Sequence, residues 1–229
     1  MRAPVPPSTV LVPRDLAPYL DHTLLAPGAT EAEVARVCEE ARAEGFAAVC
    51  LRAEHVPQAR RLLAGAAARI AAVVDFPRGE GTTAARIAEA RAAVDAGAAE
   101  LDLVVPLPAV RAGRWAEVFE DLRRVIGAAE VPVKVILETG ALPPDAKVAA
   151  AAVARAAGAA FLKTSTGFGA GGATVEDVRL LRAIAGDAVG VKASGGIRTA
   201  DDAHAMIRAG ASRIGSSSCV AIVRGAFRR

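Results

Sequence analysis

Lysines are few in this chain, and three of them stand in apolar runs that are typical of buried strands. Only four of the 28 basic residues are lysines, and those three are Lys134, Lys163 and Lys192. An ammonium is costly to bury without a partner, and arginine cannot replace an amine that must lose its proton and attack a carbonyl. The pattern therefore predicts nucleophilic amine chemistry. The alternative is that each lysine is a structural residue neutralised by a buried partner.

An internal repeat brings an aspartate into line with one of these lysines. Three segments align without gaps, each a glycine that ends a helix followed by a strand: residues 96–102, 157–163 and 209–215. Asp102, Lys163 and Gly215 each fall five residues after that glycine, so equivalent strands should hold them at a similar depth. A carboxylate near a lysine can move the protons that Schiff-base formation requires. The alternative is an Asp–Lys pair that only holds strands together.

The elements that must position these residues alternate along the chain as strand and helix. The predicted strands are Leu20–Leu24, Ala47–Leu51, Ile70–Phe76, Glu100–Val104, Val133–Glu138, Ala160–Thr164, Val189–Ala193 and Ser212–Gly215. The predicted helices span residues 30–44, 56–65, 82–96, 114–127, 144–157, 174–185, 200–209 and 217–226. Eight such units in 229 residues predict an α/β protein with a single-domain (β/α)8 TIM barrel over residues 14–229, preceded by a lead-in over residues 1–13. An open doubly wound sheet is the alternative, but the glycine-rich turn expected after its first strand is missing.

In such a barrel, catalytic groups gather at the C-terminal ends of the strands. Asp102, Lys163 and Lys192 should then converge on one pocket. We expect the two lysines to lower each other's pKa by repulsion, and desolvation to act in the same direction. A lysine with a lowered pKa forms a carbinolamine and then a Schiff base with a carbonyl substrate.

Glycines and serines follow the last two predicted strands, where this type of barrel usually binds phosphate. Glycines let backbone N–H groups approach an anion, and the start of a helix adds its dipole. The predicted phosphate-binding residues are Ser194, Gly195 and Gly196 after strand seven, with Gly215, Ser216 and Ser217 after strand eight. The substrate should therefore be a phosphorylated carbonyl compound.

Composition excludes several other classes of protein. The net charge of +3 is mild and aromatic residues make up 3%, which argues against nucleic acid as a partner. The chain contains no charge-free apolar run of about 20 residues, so no membrane span is predicted. The proline-rich start, residues 1–7, lacks the apolar core of a signal peptide, and the three cysteines suit a reducing cytoplasm. No cluster has metal-ligand spacing, so neither a metal nor another cofactor is expected.

Six segments together resemble the deoxyribose-phosphate aldolase family, and the resemblance runs from about residue 19 to residue 223. They are residues 21–25, 100–102, 134–139, 161–168, 191–198 and 213–217. The resemblance implies a class I aldolase that interconverts 2-deoxy-D-ribose 5-phosphate with D-glyceraldehyde 3-phosphate and acetaldehyde, without a cofactor. As for soluble enzymes generally, we expect a homo-oligomer, either a dimer or a tetramer.

The family pattern also implies a role for each site residue. Lys163 would form the Schiff base, Lys192 would be the neighbouring ammonium, and Asp102 would donate and accept protons. Asp21 would join the polar relay around Lys192. Two residues of the motif that follows the Schiff-base lysine, Thr164 and Gly167, would join the loops after strands seven and eight in binding the substrate.

The chain departs from the family pattern at several positions. Arg52 stands where the family usually has asparagine, Cys219 where glycine or alanine is usual, and residues 104–107 replace a loop that typically contains asparagine. Some members end in a tail that carries a tyrosine, whereas this chain ends in two arginines. These differences concern the acceptor pocket and turnover rather than the type of reaction. Cys50 is expected to be a core thiol, although its depth would allow contact with an aldehyde.

Two other functions remain open at this point. Another barrel enzyme that uses a Schiff base, including one that binds pyridoxal phosphate, would also keep a lysine on a strand. Pyridoxal phosphate normally stacks on an aromatic ring, and the only rings near Lys163 in sequence are Phe161 and Phe168. A non-catalytic phosphosugar-binding barrel would not need paired lysines.

Overall fold

The computed structural model describes residues 13–225, and the eight strands in this part of the chain form one closed parallel barrel. Each strand pairs with the next along the sequence, and the last pairs with the first. The strands are β1 Leu20–Leu24, β2 Ala48–Leu51, β3 Arg69–Val74, β4 Glu100–Val104, β5 Val133–Ile136, β6 Phe161–Lys163, β7 Gly190–Ser194 and β8 Arg213–Ser216. The predicted (β/α)8 barrel is confirmed, and the open sheet is wrong.

Helices connect the strands. They are α1 Glu31–Glu44, α2 Val56–Leu62, α3 Thr83–Ala96, α4 Leu107–Arg111, α5 Trp115–Ala129, α6 Pro144–Ala156, α7 Val175–Ala185, α8 Ala200–Arg208 and α9 Cys219–Arg224. Short 3₁₀ helices span Pro13–Tyr19, Ala53–His55 and Thr139–Ala141. The sequence predicts all of the α-helices except α4, where prolines 106 and 108 stand at the start of the helix; proline is tolerated there because the first amides have no intrahelical acceptor.

β3 and β5 end two residues earlier than predicted because the backbone turns left-handed, and β6 ends one residue early, at Lys163. β3 ends at Val74 rather than Phe76, and β5 ends at Ile136 rather than Glu138. Asp75 and Glu138 have φ angles of 53° and 56°. Strands need a strongly negative φ, so each of these residues stops the extended chain. Of the predicted lead-in over residues 1–13, all but Pro13 lies outside the described residues, as do residues 226–229.

Several helices are bounded by the caps that the sequence predicts. Thr30, Thr174 and Thr199 each accept a hydrogen bond from the backbone N–H of the acidic residue three positions later. Gly45 and Gly97 end α1 and α3 in left-handed conformations. These contacts pair backbone groups that would otherwise lack a partner at the helix ends, and they fix where each loop leaves its helix.

Apolar side chains fill the layer between strands and helices, whereas the barrel interior holds charged groups. In β4, Leu101 and Leu103 belong to the main apolar core, while Asp102 is buried on the opposite face of the strand. The same alternation separates Leu162 from Lys163 in β6. Successive strand residues point to opposite faces, so the pattern of the sequence divides the two environments.

The strand register determines which charges meet. Lys134 lies opposite Asp102 in the β4–β5 ladder, and Lys192 lies opposite Lys163 in the β6–β7 ladder. None of the helices in residues 13–225 has the length and apolar character that crossing a bilayer requires.

Candidate active site

Asp102, Lys163 and Lys192 meet inside the barrel, as the sequence predicts. The Nζ of Lys163 and the Nζ of Lys192 each lie 2.7 Å from the same oxygen, Oδ2 of Asp102. All three side chains are buried. One carboxylate oxygen therefore contacts two amines that stand on neighbouring strands.

Asp21 of β1 contacts only the second of these lysines. Its Oδ2 lies 2.5 Å from the Nζ of Lys192, and its Oδ1 accepts a hydrogen bond from Arg213 at 2.7 Å. Lys192 thus lies between two carboxylates, whereas Lys163 contacts Asp102 alone among the ion pairs of residues 13–225. The closure of the barrel, with β1 beside β8, brings Asp21 to this position.

This difference in partners separates the pKa values of the two lysines. Burial lowers the pKa of Lys163, and the charge of Lys192 lowers it further; Asp102 opposes both, but the pKa stays below its usual value. Burial would lower the pKa of Lys192 too, yet Asp102 and Asp21 together raise it. The expectation that both lysines have lowered pKa values is wrong for Lys192, because two carboxylates outweigh desolvation.

Asp102 is held as a carboxylate. Burial alone would raise its pKa, but the three neighbouring lysines, Lys134, Lys163 and Lys192, lower it well below its usual range. Asp102 therefore accepts hydrogen bonds from all three in the resting protein.

Lys134 also joins this cluster, although neither the repeat nor the family resemblance assigns it a role. Its Nζ lies 2.9 Å from Oδ1 of Asp102 and 2.6 Å from Oε2 of Glu100. Burial would lower its pKa, but Asp102, Asp21 and Glu100 raise it overall. Its place in an apolar strand is a visible signal, but its register opposite Asp102 is not visible in the sequence.

The buried charges balance if the amine of Lys163 is neutral. Within the described part of the chain, three carboxylates and three other cationic side chains meet inside the barrel: Asp21, Glu100 and Asp102, with Lys134, Lys192 and Arg213. Arg69 also reaches Glu100, but its side chain is 59% exposed. A fourth buried cation would add uncompensated charge in a medium of low dielectric constant. The charge count and the pKa direction both favour a free amine at Lys163.

Gly215 makes room for this cluster. A methyl group at this position would lie 2.5 Å from Oγ of Ser194 and 3.0 Å from Cε of Lys192. The sequence repeat places Gly215 at the same depth in the barrel as Asp102 and Lys163. Because a side chain there would clash with Ser194 and Lys192, this position needs a residue without one.

The predicted phosphate residues of the β7–α8 loop lie in a tight backbone packing. Gly195 and Gly196 have φ angles of 93° and 80°, a region that favours glycine. A Cβ on Gly172 would lie 2.4 Å from the carbonyl oxygen of Gly195, and a Cβ on Gly167 would lie 3.9 Å from its Cα. The β6–α7 loop therefore packs directly on the predicted phosphate loop.

A hydroxyl links the same two loops at their bases. Oγ1 of Thr164 donates a hydrogen bond to the carbonyl of Ser194 at 3.1 Å and accepts one from the Ser194 N–H at 3.0 Å. The hydroxyl of Ser194 itself is buried and has no protein partner among the described residues. Thr164 thus holds together the two strand ends that carry Lys163 and Lys192.

The loop between β8 and α9 differs from the prediction in where the helix begins and in which of the two serines is free to meet a ligand. The hydroxyl of Ser216 donates to the carbonyl of Ile197 at 2.7 Å and accepts from the Ser218 N–H at 2.9 Å. Ser217 is exposed, and α9 begins at Cys219, two residues later than predicted. Ser216 is therefore engaged within the protein, and Ser217 is the hydroxyl of this pair that faces solvent.

Cysteine and aromatic side chains line another part of the interior. Sγ of Cys50 lies 3.8 Å from Oδ2 of Asp102, and burial raises the pKa of this thiol to about 11. Phe76 packs with Cys50, meets the edge of the Phe168 ring, and lies under the guanidinium of Arg52. The thiol is protonated at neutral pH and forms part of an apolar wall. Across residues 13–225, no group of three or more His, Cys, Asp and Glu side chains is arranged to hold a metal ion.

Comparisons with known proteins agree on one family. The family model described as DeoC/LacD family aldolase matches residues 16–228. Curated proteins named deoxyribose-phosphate aldolase are 46% identical in Alkaliphilus oremlandii, covering 91% of this chain and 95% of that protein, and 47% identical in Carboxydothermus hydrogenoformans, covering 92% and 94%.

Solved structures give the same result at the level of the fold. The structure described as a unique tetrameric deoxyribose-phosphate aldolase from Aeropyrum pernix has a TM-score of 0.87 and 34% identity, covering 93% of this chain and 91% of that one. A structure described as QR15, an aldolase, has a TM-score of 0.88 and 36% identity, covering 93% and 96%.

Proposed function

The chain belongs to the DeoC/LacD family of aldolases, and we propose that it cleaves 2-deoxy-D-ribose 5-phosphate reversibly to D-glyceraldehyde 3-phosphate and acetaldehyde through a Schiff base on Lys163. The observation that carries this proposal is the difference between two buried lysines on one carboxylate. Lys163 has a lowered pKa and Lys192 a raised one. An amine that gives up its proton more readily than an ordinary lysine thus lies beside an ammonium that holds its proton more tightly.

Covalent capture of the substrate comes first. The free amine of Lys163 attacks the aldehyde carbon of the open-chain sugar, a C–N bond forms, and the carbonyl oxygen takes up a proton. Loss of water from this carbinolamine gives a protonated imine. The ammonium of Lys192 is a suitable proton source, and Asp102, 2.7 Å from both amines, connects them.

Cleavage of the carbon–carbon bond then uses the imine as an electron sink. The hydroxyl on the third carbon loses its proton, the bond between the second and third carbons breaks, and its electron pair enters an enamine attached to Lys163. D-Glyceraldehyde 3-phosphate leaves. Protonation of the enamine carbon and hydrolysis of the imine release acetaldehyde and restore the free amine. The carboxylate of Asp102, beside Lys163, is placed to carry these protons.

The phosphate is proposed to bind across the loops after β7 and β8. Gly195 and Gly196 offer backbone N–H groups without side chains in the way. The exposed hydroxyl of Ser217 follows β8, and the loops at these two strands are the usual phosphate site of the fold. Thr164 and Gly167 support the same site from the β6–α7 loop.

We also propose an oligomeric state and a cellular compartment for the protein. A homo-oligomer, a dimer or a tetramer, is supported by the tetrameric description of the Aeropyrum pernix relative. A reducing, cytoplasmic setting is supported by Cys38, Cys50 and Cys219, which are all free and buried.

Borohydride trapping tests the proposal directly. The protein incubated with acetaldehyde and reduced should gain a two-carbon adduct on the peptide that contains Lys163, and Lys163→Arg should gain none there. An adduct on Lys192 would reverse the two roles. A protein that binds deoxyribose 5-phosphate but is never trapped would instead be a phosphosugar-binding barrel.

A further inference from the structure

Glu138 follows β5 and combines two features that are uncommon together. It is 4% exposed, and its φ of 56° is left-handed. Residues other than glycine rarely adopt this conformation, and it carries a conformational cost. The residue lies between β5, the strand that carries Lys134, and the 3₁₀ helix Thr139–Ala141.

The carboxylate of Glu138 is buried without a cation. Its Oε2 accepts a hydrogen bond from the backbone N–H of Thr166 at 3.1 Å, and its Oε1 is buried with no hydrogen-bond partner in residues 13–225. No ion pair of the described chain includes Glu138, whereas Asp21, Glu100 and Asp102 each contact at least two cations. Burial of a carboxylate with so few partners costs stability, so packing alone does not account for it.

The amide that Glu138 holds belongs to the loop that borders the proposed phosphate site. The N–H of Phe168 bonds in turn to Oγ1 of Thr166 at 3.0 Å. The same loop packs Gly167 and Gly172 against Gly195. A displacement at Thr166 would therefore reach the Gly195 backbone.

The position of Lys163 has support besides this contact. The next residue, Thr164, is held by three other partners: its N–H donates to the carbonyl of Lys192, its carbonyl accepts from the Thr139 N–H, and its hydroxyl bonds to Ser194. Hydrogen bonds to neighbouring strands and loops thus hold the chain next to Lys163, and the carboxylate of Glu138 holds it at Thr166.

We propose that Glu138 is a positioning residue that holds the loop of residues 166–172 against the Gly195–Gly196 loop and so shapes the phosphate side of the site. It acts through the Thr166 amide and does not touch Lys163. The inference rests on the proposed function, because the loop matters through the phosphorylated substrate.

Glu138→Ala separates this role from a general structural one. The variant should raise KM for deoxyribose 5-phosphate about tenfold, which is the typical effect of losing one hydrogen bond to a charged group. The rate of borohydride trapping with acetaldehyde, which has no phosphate, should stay within about twofold. Glu138→Gln keeps an oxygen that can accept the Thr166 N–H and should restore KM to near the wild-type value.

Gly169 provides a second route to the same contact. A Cβ on Gly169 would lie 2.9 Å from Cδ and Oε1 of Glu138, so Gly169→Ala should push the carboxylate off Thr166 and raise KM as well. Combining it with Glu138→Ala removes the clash, so the double variant should be no worse than Glu138→Ala. Gly127→Ala, on α5 where a Cβ meets nothing within 4 Å, is the matched control and should match the wild type.

The outcomes distinguish this inference from the proposed function. If the wild type forms no trapped adduct with acetaldehyde, the proposed function fails. If trapping is normal but Glu138→Ala and Gly169→Ala leave KM unchanged, the positioning role alone is rejected. It is also rejected if trapping falls in parallel with phosphosugar cleavage, or if Glu138→Gln is as impaired as Glu138→Ala.

Discussion

At the scale of single residues, one additional carboxylate makes Lys192 differ from Lys163. Lys192 contacts Asp21 and Asp102, and Lys163 contacts Asp102. Removing a cation that lies between two buried carboxylates leaves charge uncompensated, whereas removing a neutral amine does not. The two lysines should therefore differ in what their removal does to the fold.

We expect Lys192→Met to lower the free energy of unfolding by about 3–5 kcal/mol, the usual cost of breaking a buried ion pair. Lys163→Met, the matched substitution on the next strand, should change it by less than about 1.5 kcal/mol, because it removes one hydrogen bond and one buried amine. Both variants should lose cleavage activity. Denaturant unfolding at pH 7 measures the difference, and equal destabilisation would contradict a neutral amine at Lys163.

The same assignment determines how the reaction depends on pH. The pKa of Lys163 is lowered below 10.5, so the free amine and kcat/KM should rise together as the pH rises through a value below 10.5. The pKa of Lys192 is raised above 10.5, so its ammonium should persist and the alkaline decline should begin only above pH 10.5. If the rise in kcat/KM had its midpoint at or above pH 10.5, this order of titration would be contradicted.

Asp21→Asn tests the origin of the alkaline limb. Asp21 raises the pKa of Lys192, so removing its charge should move the decline to lower pH. Asp145→Asn, at an exposed position in the first turn of α6, should leave the profile in place. An alkaline limb that does not move in Asp21→Asn would show that another group sets it.

At the scale of elements, sequence patterns locate most strands and helices but not the residues where strands stop. Alternation and capping signals place β1 and β4 at the bounds that the structure has. Asp75 and Glu138 continue apolar runs, and nothing local shows that their φ angles are positive. Their conformations depend on contacts with later parts of the chain, such as the amide of Thr166 for Glu138.

The sequence also predicts some residues of the candidate site but not others. The repeat aligns Asp102 and Lys163, because equal offsets from a helix-ending glycine give equal depth in the barrel. Lys134 and the raised pKa of Lys192 depend on which strands lie next to each other and in what register. Those relations link residues far apart in the chain, so composition and spacing do not contain them.

The β8–α9 loop carries its own prediction. Ser217→Asp places a carboxylate on an exposed loop position beside the proposed phosphate, and repulsion there should cost about 1–3 kcal/mol of binding. KM for deoxyribose 5-phosphate should rise several-fold to about a hundredfold, while kcat changes less because the phosphate is remote from the bond that breaks.

Two controls isolate the charge in that experiment. Ser217→Asn has similar bulk without the charge and should have a much smaller effect. Unphosphorylated deoxyribose should be used as well by Ser217→Asp as by the wild type. Equal losses on both substrates would place Ser217 away from the phosphate.

At the scale of the whole molecule, a continuous apolar layer surrounds a charged interior. The helices pack on the outer faces of the strands, and the proposed catalytic residues share the inside with other buried cationic side chains. Exclusion of water strengthens each of these electrostatic contacts. The buried ammonium groups of Lys134 and Lys192 thus place positive charge inside the barrel.

The molecule should therefore work without a metal ion. Within residues 13–225, no group of acidic, histidine and cysteine side chains has a metal-binding arrangement. We expect cleavage rates to be unchanged after prolonged dialysis against a chelator, with metal content measured in the same sample. Loss of activity that returns on adding a divalent ion would contradict the Schiff-base proposal.

Closure of the ring between β1 and β8 also has a consequence during synthesis of the chain. Asp21 is 171 residues from Lys192 and 192 residues from Arg213. A ribosome makes β1 before every other strand of this barrel and β8 after them, so the nascent Asp21 has neither partner until β7 and β8 have emerged. Contacts of such long separation form late and slowly. The contact between Asp21 and Lys192, and with it the difference between the two lysines, therefore arises only in chains that have completed the ring.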